Sequence, residues 1–486
     1  MGDELNPERF LSRLKRLHTQ WTKAASLPMW GGAAALCLMS GPQNEDDNYK
    51  KSIALQMHLM AWELPDTVMV LAKDGTLYAL GTPKKCAFLE IAAKEAAKSP
   101  QDGIKVVLLP RNKADANAEN HKKLVQAVKK GAGGGGSFIM GSLLKESFDG
   151  PICTGWMTAA KAAGIEMAEI SSALGLLLSV KDDAEVEMIK RASILTNKVL
   201  KYGFIQKMQD IIEEEVTTTH EKLAQEVQDI MEDPSKIKLN VSKDLVESCY
   251  FPIVQSGGQY QLKASAQSDE RNLSYDIILC SMGARYKSYC ANVSRSFFIN
   301  PPKKVQNTYR TLLSLYHKCL DNLRPGEPVK GVVEKAHRYL RDKSPELEKC
   351  ITKTLGFSLG LDYREVAMVI SAKNATKLKD GMVFNLSVGL QDVPLSASER
   401  KGSGASEMES FSVMIADTVV VKDTGAEVLT KQSKEWKDVS YNLKGDAGSD
   451  DNDDNDDDSD RERGGGDGED LPGAVKTRRM RDKGKM

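Results

Sequence analysis

Residues Asp276–Phe298, DIILCSMGARYKSYCANVSRSFF, are the stretch that decides the fold of this chain. The apolar run at 277–279 predicts a first strand, and the rough alternation of apolar and polar residues from Tyr286 to Phe298 predicts a second one. We expect a tight turn at Gly283 between the two strands. The stretch therefore predicts a β-hairpin. Two polar residues stand in it eleven positions apart: Ser281 and Asn292.

The length and composition of the chain indicate a soluble protein of more than one domain. Its 486 residues exceed what one hydrophobic core usually organises, so we expect two domains and a tail. Hydrophobic residues make up 41% and charged residues 28%, as in ordinary globular proteins. The longest apolar run, Ile170–Val180, is too short to span a bilayer, and the N-terminus lacks the layout of a signal peptide. We expect an intracellular protein whose eight scattered cysteines are reduced core thiols.

Charge divides the chain into a mildly basic body and a sharply patterned tail. Residues 446–486 hold fourteen of the 68 acidic and eight of the 67 basic residues, which leaves 54 and 59, or about +5, for residues 1–445. That balance is too weak to indicate nucleic-acid binding by itself. From Gly445 the composition predicts a disordered acidic segment, because it cannot bury enough apolar surface to fold. The basic end, Lys476–Lys485, fits a nuclear-import signal, a DNA contact or a linker equally well.

Local patterns divide the body into two lobes. Strands alternating with helices predict an α/β lobe over residues 1–178, with a hairpin that turns at Asp74-Gly75 and a buried strand at Ile104–Leu109. The glycine run 131–136 lacks the ending of a phosphate-binding loop and is expected to be a flexible connection. Helices and strands over residues 179–444 form the second lobe, and residues 445–486 form the tail. In the second lobe we expect a strand–turn–strand at Tyr250–Ala266 and a helix at Pro345–Leu355.

The central hairpin resembles the metal-bearing hairpin of the methionine aminopeptidase, prolidase and creatinase superfamily, which has the pita-bread fold. The phrase VKDDAEVEMIKRA (180–192) is similar to the helix that opens the catalytic lobe in two-domain prolidases and creatinases, after an α/β N-terminal domain. The resemblance implies a fold of mixed α/β and α+β class. It would have two lobes like creatinase or prolidase, with an α/β N-terminal lobe and a pita-bread C-terminal lobe.

The same resemblance implies where metal ligands would stand. The superfamily binds two metal ions through Asp, Asp, His, Glu and Glu, and hard divalent ions need such anionic oxygens or imidazole. The matching positions of this chain are Ser281, Asn292, Phe357, Ser387 and Ala416. Two further histidines that contact substrate in the superfamily match Ala264 and Arg364. We therefore expect no metal, no cofactor and no catalytic residue in this cleft, and a protein that is not an enzyme.

Longer phrases are similar to a narrower family, the N-terminal region of the large subunit of the FACT histone chaperone. They are YFPIVQSGGQYQLKASAQSD (250–269), SMGARYKSYCANVSRSF (281–297), KCITKTLGFSLGLDYRE (349–365), LKDGMVFNLSVGL (378–390) and GPICTGWMTAAKAAGIEMAEISSALGLLLSVKD (150–182). The resemblance implies a nuclear, chromatin-associated protein that binds core histones, as either or both of the two core histone pairs, and nucleosomes. It implies a role in transcription elongation, DNA replication and DNA repair. It also implies an HMG-box partner subunit, bound through regions absent from this chain.

Two groups of residues are candidate peptide or histone contacts. The first is cationic and lies on or near the former metal side: Arg364, Arg285 and Lys287. Arg364 could attract a carboxylate, or it could pair with Asp362 or Glu365 or face solvent. The second group is the acidic run of the tail, which could shield basic histone surfaces or serve only as a solvated linker: Asp453, Asp454, Asp456, Asp457 and Asp458.

Two other classes of function stay open beside a histone-binding module. One is a general peptide-binding or protein-binding pita-bread module outside chromatin, because a cleft that held an extended peptide can still bind one without cutting it. The other is an enzyme, either a metallopeptidase with displaced ligands or a new hydrolase. The six histidines show no clustering along the sequence, and no Gly-x-Ser-x-Gly motif marks a nucleophile.

Overall fold

A computed structural model describes residues 5–42, 49–133, 138–400 and 408–443. Residues Met1–Leu443 belong to one compact unit. The predicted disordered tail lies outside the described residues, as do residues 134–136 of the glycine run. Within the described ranges, no helix has both the length and the apolar character needed to cross a membrane.

The described residues form helices and strands with the following bounds. The α-helices are α1 (Pro7–Thr22), α2 (Lys51–Met60), α3 (Pro83–Lys98), α4 (Ala118–Gly131), α5 (Pro151–Ala162), α6 (Ser171–Ser179), α7 (Asp183–Lys198), α8 (Gln206–Glu213), α9 (His220–Glu232), α10 (Lys303–Asp321), α11 (Val329–Lys343), α12 (Ala397–Arg400) and α13 (Trp436–Val439). The strands are β1 (Ala35–Ser40), β2 (Thr67–Ala72), β3 (Thr76–Gly81), β4 (Lys105–Pro110), β5 (Phe138–Ser142), β6 (Ile165–Glu169), β7 (Val246–Ser248), β8 (Ile253–Gln255), β9 (Ile277–Met282), β10 (Ala284–Tyr286), β11 (Tyr289–Cys290), β12 (Val293–Ile299), β13 (Thr354–Ser358), β14 (Glu365–Ser371), β15 (Val383–Pro394), β16 (Ser410–Lys422), β17 (Gly425–Val428) and β18 (Ser440–Tyr441).

Strands β1–β6 form one sheet in the order β4-β3-β2-β1-β5-β6, and we call this sheet with α1–α6 the N-lobe. Strand β1 lies in the middle and is buried along its whole length. Its alternate residues face two separate cores: Leu36 packs with residues of α1 and α2, and Cys37 packs with residues of α4 and α5. The hairpin at Asp74-Gly75 is confirmed, since β2 and β3 pair on either side of it. The expected buried strand at 104–109 is β4, but it is only partly buried because it lies at the sheet edge.

A nine-stranded sheet and a three-stranded sheet form the centre of the second half, which we call the C-lobe. The large sheet has the order β14-β13-β15-β16-β12-β9-β8, with β17 on β16 and β18 on β12, and the small sheet has the order β11-β10-β7. Helices α8–α11 bury their apolar faces against the large sheet in one continuous core. The predicted boundary after residue 178 falls at the end of α6. Leu177 packs in an N-lobe core and Leu178 packs with Val420 of the C-lobe, so this boundary stays a prediction.

Helix α7 opens the C-lobe as the sequence predicts, and its first turn explains why. The Asp182 carboxylate accepts the backbone N–H of Glu185 at 2.9 Å, and the Glu185 carboxylate accepts the backbone N–H of Asp182 at 3.0 Å. This capping box satisfies two amide groups that a helix start leaves without partners. Asp182 also pairs with Arg13 of α1 at 2.6 Å, so the same turn joins the two lobes.

The central hairpin forms, but its turn is not at Gly283. Strands β9 and β12 pair antiparallel, with Ser281 opposite Ser294, and the small hairpin β10–β11 lies between them. That hairpin turns at Lys287-Ser288, where both residues have positive φ (46° and 69°), as a type I′ hairpin turn requires. Gly283 instead lies where β9 continues into β10. A Cβ there would stand 2.4 Å from the Ala291 carbonyl oxygen, so the glycine allows close backbone approach.

Two other expected elements are wrong in part. Tyr250–Ala266 contains β8 but not a second strand. The reason is that the Gln255 side chain accepts the Gln261 N–H at 2.6 Å and donates to the Gln261 carbonyl at 3.2 Å, so it takes the backbone groups that strand pairing would use. The helix expected at Pro345–Leu355 is a short 3-10 helix, Pro345–Cys350, followed by β13.

Candidate functional site: a central cavity in the C-lobe

A cavity of about 690 Å³ opens on one face of the large sheet, and we call it the central cavity. Strands β8, β9, β12, β13 and β15 contribute to its wall. Six of the seven positions that the sequence matched to ligands and substrate histidines line it: Ala264, Ser281, Asn292, Phe357, Arg364 and Ser387. The seventh, Ala416, lies on β16 directly opposite Ser387 in the β15–β16 register. The fold therefore brings the predicted positions together, although they span more than 150 residues of sequence.

Each polar group at these positions is already engaged by a neighbouring side chain. The Ser281 hydroxyl lies 2.6 Å from the Ser294 hydroxyl, and both side chains are buried. The Ser387 hydroxyl contacts the sulfur of Met414 at 3.4 Å. Since hydroxyls are neutral donors and acceptors, these two serines contribute no charge to the cavity wall.

Asn292 is held by a set of three side chains. Its amide nitrogen donates to the Asn385 side-chain oxygen at 3.1 Å, and its amide oxygen accepts the Tyr250 hydroxyl and, at 3.4 Å, the Tyr363 hydroxyl. Burial raises the pKa of Tyr250, and the neighbouring Tyr363 raises it further. The Tyr250 phenol therefore stays protonated and donates a hydrogen bond to the Asn292 oxygen. Burial also raises the pKa of Tyr363. The Asn292 oxygen is thereby saturated by hydrogen-bond donors and is not free to bind a cation.

Phe357 takes the position matched to the ligand histidine and makes that wall of the cavity aromatic. Its ring packs edge-on against Tyr363, with centroids 5.4 Å apart, and Tyr363 in turn packs on Tyr250 at 4.7 Å. The exposed guanidinium of Arg364 lies 5.6 Å from the Phe357 ring centroid. An aromatic platform beneath a cation therefore stands where the superfamily has an imidazole.

The central cavity is not suited to a pair of divalent ions. Among the described residues that line it, Asp392 is the one carboxylate, and none is a histidine. No cluster of three or more His, Cys, Asp or Glu side chains with metal-binding geometry occurs in the part of the chain that the structure describes. Neutral hydroxyls and saturated amides cannot compete with water for a hard dication.

The three cationic candidates fall in different places. Arg364 lines the central cavity, whereas Arg285 and Lys287 do not. Arg285 is buried, pairs with Glu247 at 2.7 Å and lies over the Tyr49 ring at 5.1 Å. Lys287 is exposed at the β10–β11 turn. The five aspartates of the acidic run, 453–458, lie outside the described residues.

Two carboxylates that flank Arg364 in sequence do not pair with it. Asp362 and Glu365 both bind the Lys51 ammonium of α2, in a contact buried between the lobes. This contact also fixes the segment that carries Arg364, because Lys51 binds one carboxylate before Arg364 and one after it. The alternative in which Arg364 is neutralised by its sequence neighbours is therefore wrong, and its head group faces solvent over Phe357.

One arrangement that the sequence did not reveal is a Ser–His–Asp set away from the cavity. His220 Nδ1 lies 2.7 Å from an Asp269 oxygen, and its Nε2 lies 2.7 Å from the Ser256 hydroxyl. Both Ser256 and His220 are 1% exposed, so no substrate reaches the hydroxyl. The Ser256 oxygen also accepts the backbone N–H of Ser274 at 2.8 Å. This set fastens the start of α9 to the 269–274 segment, and no local motif marks it because its members come from three segments.

Comparisons with known proteins agree with this architecture. Residues 5–173 match the family described as FACT complex subunit SPT16 N-terminal lobe domain, and residues 187–423 match metallopeptidase family M24. The chain is 34% identical over 449 residues to the FACT complex subunit SPT16 of Arabidopsis thaliana, covering 91% of this chain and 41% of that protein. It therefore spans about two fifths of the length of the curated relatives it matches.

Solved structures show the same relationship. The N-terminal domain of FACT complex subunit SPT16 from chickpea is 30% identical, with a TM-score of 0.78 over 90% of this chain and 100% of that one. Prolidase from Pyrococcus furiosus is 17% identical, with a TM-score of 0.57 over 83% of this chain and 98% of that one, which concerns the fold alone. The predicted fold class, a two-lobed architecture like that of prolidase, is confirmed.

Proposed function

Since the chain belongs to the family of FACT complex subunit SPT16 N-terminal domains, we propose that it is a non-enzymatic histone-binding and nucleosome-binding module of a FACT-type histone chaperone. Such a module would reorganise nucleosomes in the nucleus during transcription elongation, DNA replication and DNA repair. It would act with an HMG-box partner subunit. The names of its relatives support the chaperone assignment, and the chemistry of the central cavity supports the absence of catalysis.

The observation that carries the non-enzymatic part is the chemistry of the cavity wall. Six matched positions converge there, yet they present hydroxyls, a saturated amide, an aromatic ring, a methyl group and a guanidinium. Activation of water in this fold needs a metal-held hydroxide, and these groups cannot hold the metal. A cleft of this kind acts by binding its ligand.

Histone binding is tested by capture of each of the two core histone pairs on the full chain at graded salt. We expect capture of at least one pair, weakening as salt rises because charge contributes to the contact. A variant with Asn at Asp453, Asp454, Asp456, Asp457 and Asp458 keeps the tail length and removes five charges, so it isolates the acidic run. Arg364→Ala in the same assay tests whether the central cavity takes part in histone capture, and we expect capture to be unchanged because a guanidinium does not attract a basic protein.

The competing functions give different results in that experiment. A general binding module outside chromatin would capture cytochrome c, an unrelated basic protein, as well as it captures histones. An enzyme would cleave a peptide panel and lose that activity on chelation, with two metal ions per chain by metal analysis. Either result would exclude the proposed function.

A further inference from the structure

The rim of the central cavity carries an excess of positive charge that the matched positions alone do not reveal. Among the described residues, four cationic side chains line the cavity and Asp392 is the one carboxylate there, which leaves a net charge of +3. They stand on three separate segments: Lys263 after β8, Lys349 and Lys353 before β13, and Arg364 before β14. All four side chains are exposed.

Within the described residues, these cations stand without a paired counter-charge. Among the described residues, none of the four has an ion-pair partner. The nearest carboxylates in sequence are bound elsewhere: Glu348 to Arg341 at 2.6 Å, Asp269 to Arg271 at 2.8 Å, and Asp362 and Glu365 to Lys51. The Gln391 amide also donates to Asp392 at 3.0 Å, and the single negative charge of that carboxylate offsets only one of the four cations. The electrostatic potential at the opening of the cavity is therefore positive.

From these observations we propose that the central cavity binds an extended acidic peptide segment of a partner protein, with carboxylates on the rim and an apolar or aromatic side chain inside. The proposal rests on the cavity holding its ligand without cutting it, as proposed above, but it does not require that the ligand be a histone. A basic histone tail has the wrong charge for this rim, so the cavity and the histone-binding surface are separate sites.

The arrangement favours several carboxylates on one chain over a single small anion. A site for one phosphate gathers donors around one point, whereas here the cations stand on three segments around an opening of about 690 Å³. Part of the wall between them is apolar or aromatic, with Ile253, Leu262 and Phe357 facing the space that a side chain of the ligand would fill.

Fluorescence anisotropy on the full chain tests the proposal. The probe is a labelled peptide of seven Asp or Glu residues and one Phe, and its counterpart has Lys in place of the acidic residues. We expect the acidic peptide to bind about tenfold tighter than its counterpart at low salt, and to weaken as salt rises. Mass spectrometry after incubation is expected to find the peptide intact, and capture of histones by the same sample is measured in parallel.

Matched charge reversals locate the site. The variant K349E/K353E is expected to lower affinity for the acidic peptide about tenfold or more, because two attractions become repulsions. The control K113E/K123E makes the same charge change at exposed N-lobe lysines that have no ion pair among the described residues, and we expect less than about a threefold loss. Melting temperatures of both variants verify that the fold is unchanged.

Several outcomes would overturn the proposal. Equal affinity for the two peptides, or equal losses of affinity in the two variants, would show that the cavity is not a site for acidic peptides. Displacement of the probe by inorganic phosphate at matched anion concentration would make the site a single-anion site. A DNA duplex that binds more tightly and responds to K349E/K353E in the same way would assign the rim to nucleic acid. Loss of histone capture with peptide binding intact would refute only the proposed function, and a cleaved peptide would refute the premise that the two proposals share.

Discussion

Replacing Asp417 by Ala should unfold the C-lobe at a markedly lower temperature. Asp417 is fully buried on β16, where one oxygen binds Arg295 of β12 at 2.7 Å and the Thr430 hydroxyl at 2.8 Å. Its other oxygen lies 3.3 Å from the Lys434 ammonium. The pair joins the two strands that carry Ser294 and Ala416, so it supports the wall of the central cavity.

The magnitude follows from what the substitution leaves behind. Without Asp417, the guanidinium of Arg295 stays at 0% exposure with no counter-charge, and breaking a buried pair in this way costs about 3–5 kcal/mol. Four backbone carbonyls, those of Ser294, Ala416, Gln432 and Ser433, continue to accept its N–H groups. We therefore expect the lower end, about 3 kcal/mol, which corresponds to a fall in melting temperature of about 6–12 °C for a lobe of this size.

The matched control is Asp102→Ala in the N-lobe. Asp102 also forms a short ion pair, with Lys15 at 2.6 Å, but both side chains are 51% exposed. Exposed pairs contribute about 0–1 kcal/mol, so this variant should melt within about 2 °C of the unchanged protein. The two variants remove the same chemical group and differ in burial.

Thermal unfolding followed by circular dichroism measures both shifts, together with that of R295M/D417V. The double variant should be less destabilised than D417A, because it removes both charges and leaves none buried without a partner. Equal melting temperatures for D417A and D102A would show that burial does not set the strength of the pair. A double variant as unstable as D417A would show that the loss comes from packing and not from an uncompensated charge.

Three further predictions concern pH and backbone space. Burial by itself raises the pKa of Glu185, but the His58 ring and other neighbours outweigh it and lower the pKa to about 2. The stability difference between the protein and E185Q should therefore be complete above pH 4.5 and vanish as the pH falls towards 2. Acid-unfolding curves measure this difference, and a difference that is independent of pH would contradict the prediction. Burial lowers the pKa of Lys181 to about 8, so between pH 8 and 10.5 the unfolded chain binds a proton that the folded protein has lost. As the pH rises through that window, the protein should therefore gain stability relative to K181M. Urea unfolding measures the two stabilities, and a difference between them that does not change with pH would refute the prediction. In G356A, a Cβ would lie 1.9 Å from the Asn385 carbonyl oxygen at a residue with φ of 124°. We therefore expect the free energy of unfolding to fall by about 2 kcal/mol or more and binding in the central cavity to weaken. An unchanged melting temperature would show that β13 and β15 can move apart without cost.

Much of this fold is encoded locally and could be predicted from the sequence. The apolar run at Ile277–Leu279 forms β9, and the acidic start at Asp182 caps α7. Each of these depends on residues a few positions apart, so short-range periodicity and capping are sufficient to specify them. Residue identity alone also establishes that the matched ligand positions carry no carboxylate and no imidazole.

The tertiary structure decided what these residues do together. The turn at Lys287-Ser288 follows from the pairing of β10 with β11, which no local signal at Gly283 reveals. Likewise, Lys263 follows β8 and Arg364 precedes β14 about a hundred residues later, at the two ends of the strand order, yet both residues line one cavity. Sheet order brings distant segments together, and a pattern that extends over a few residues carries no information about that order. The sequence therefore determined which chemistry is missing from the cleft, and the fold determined which charge surrounds it.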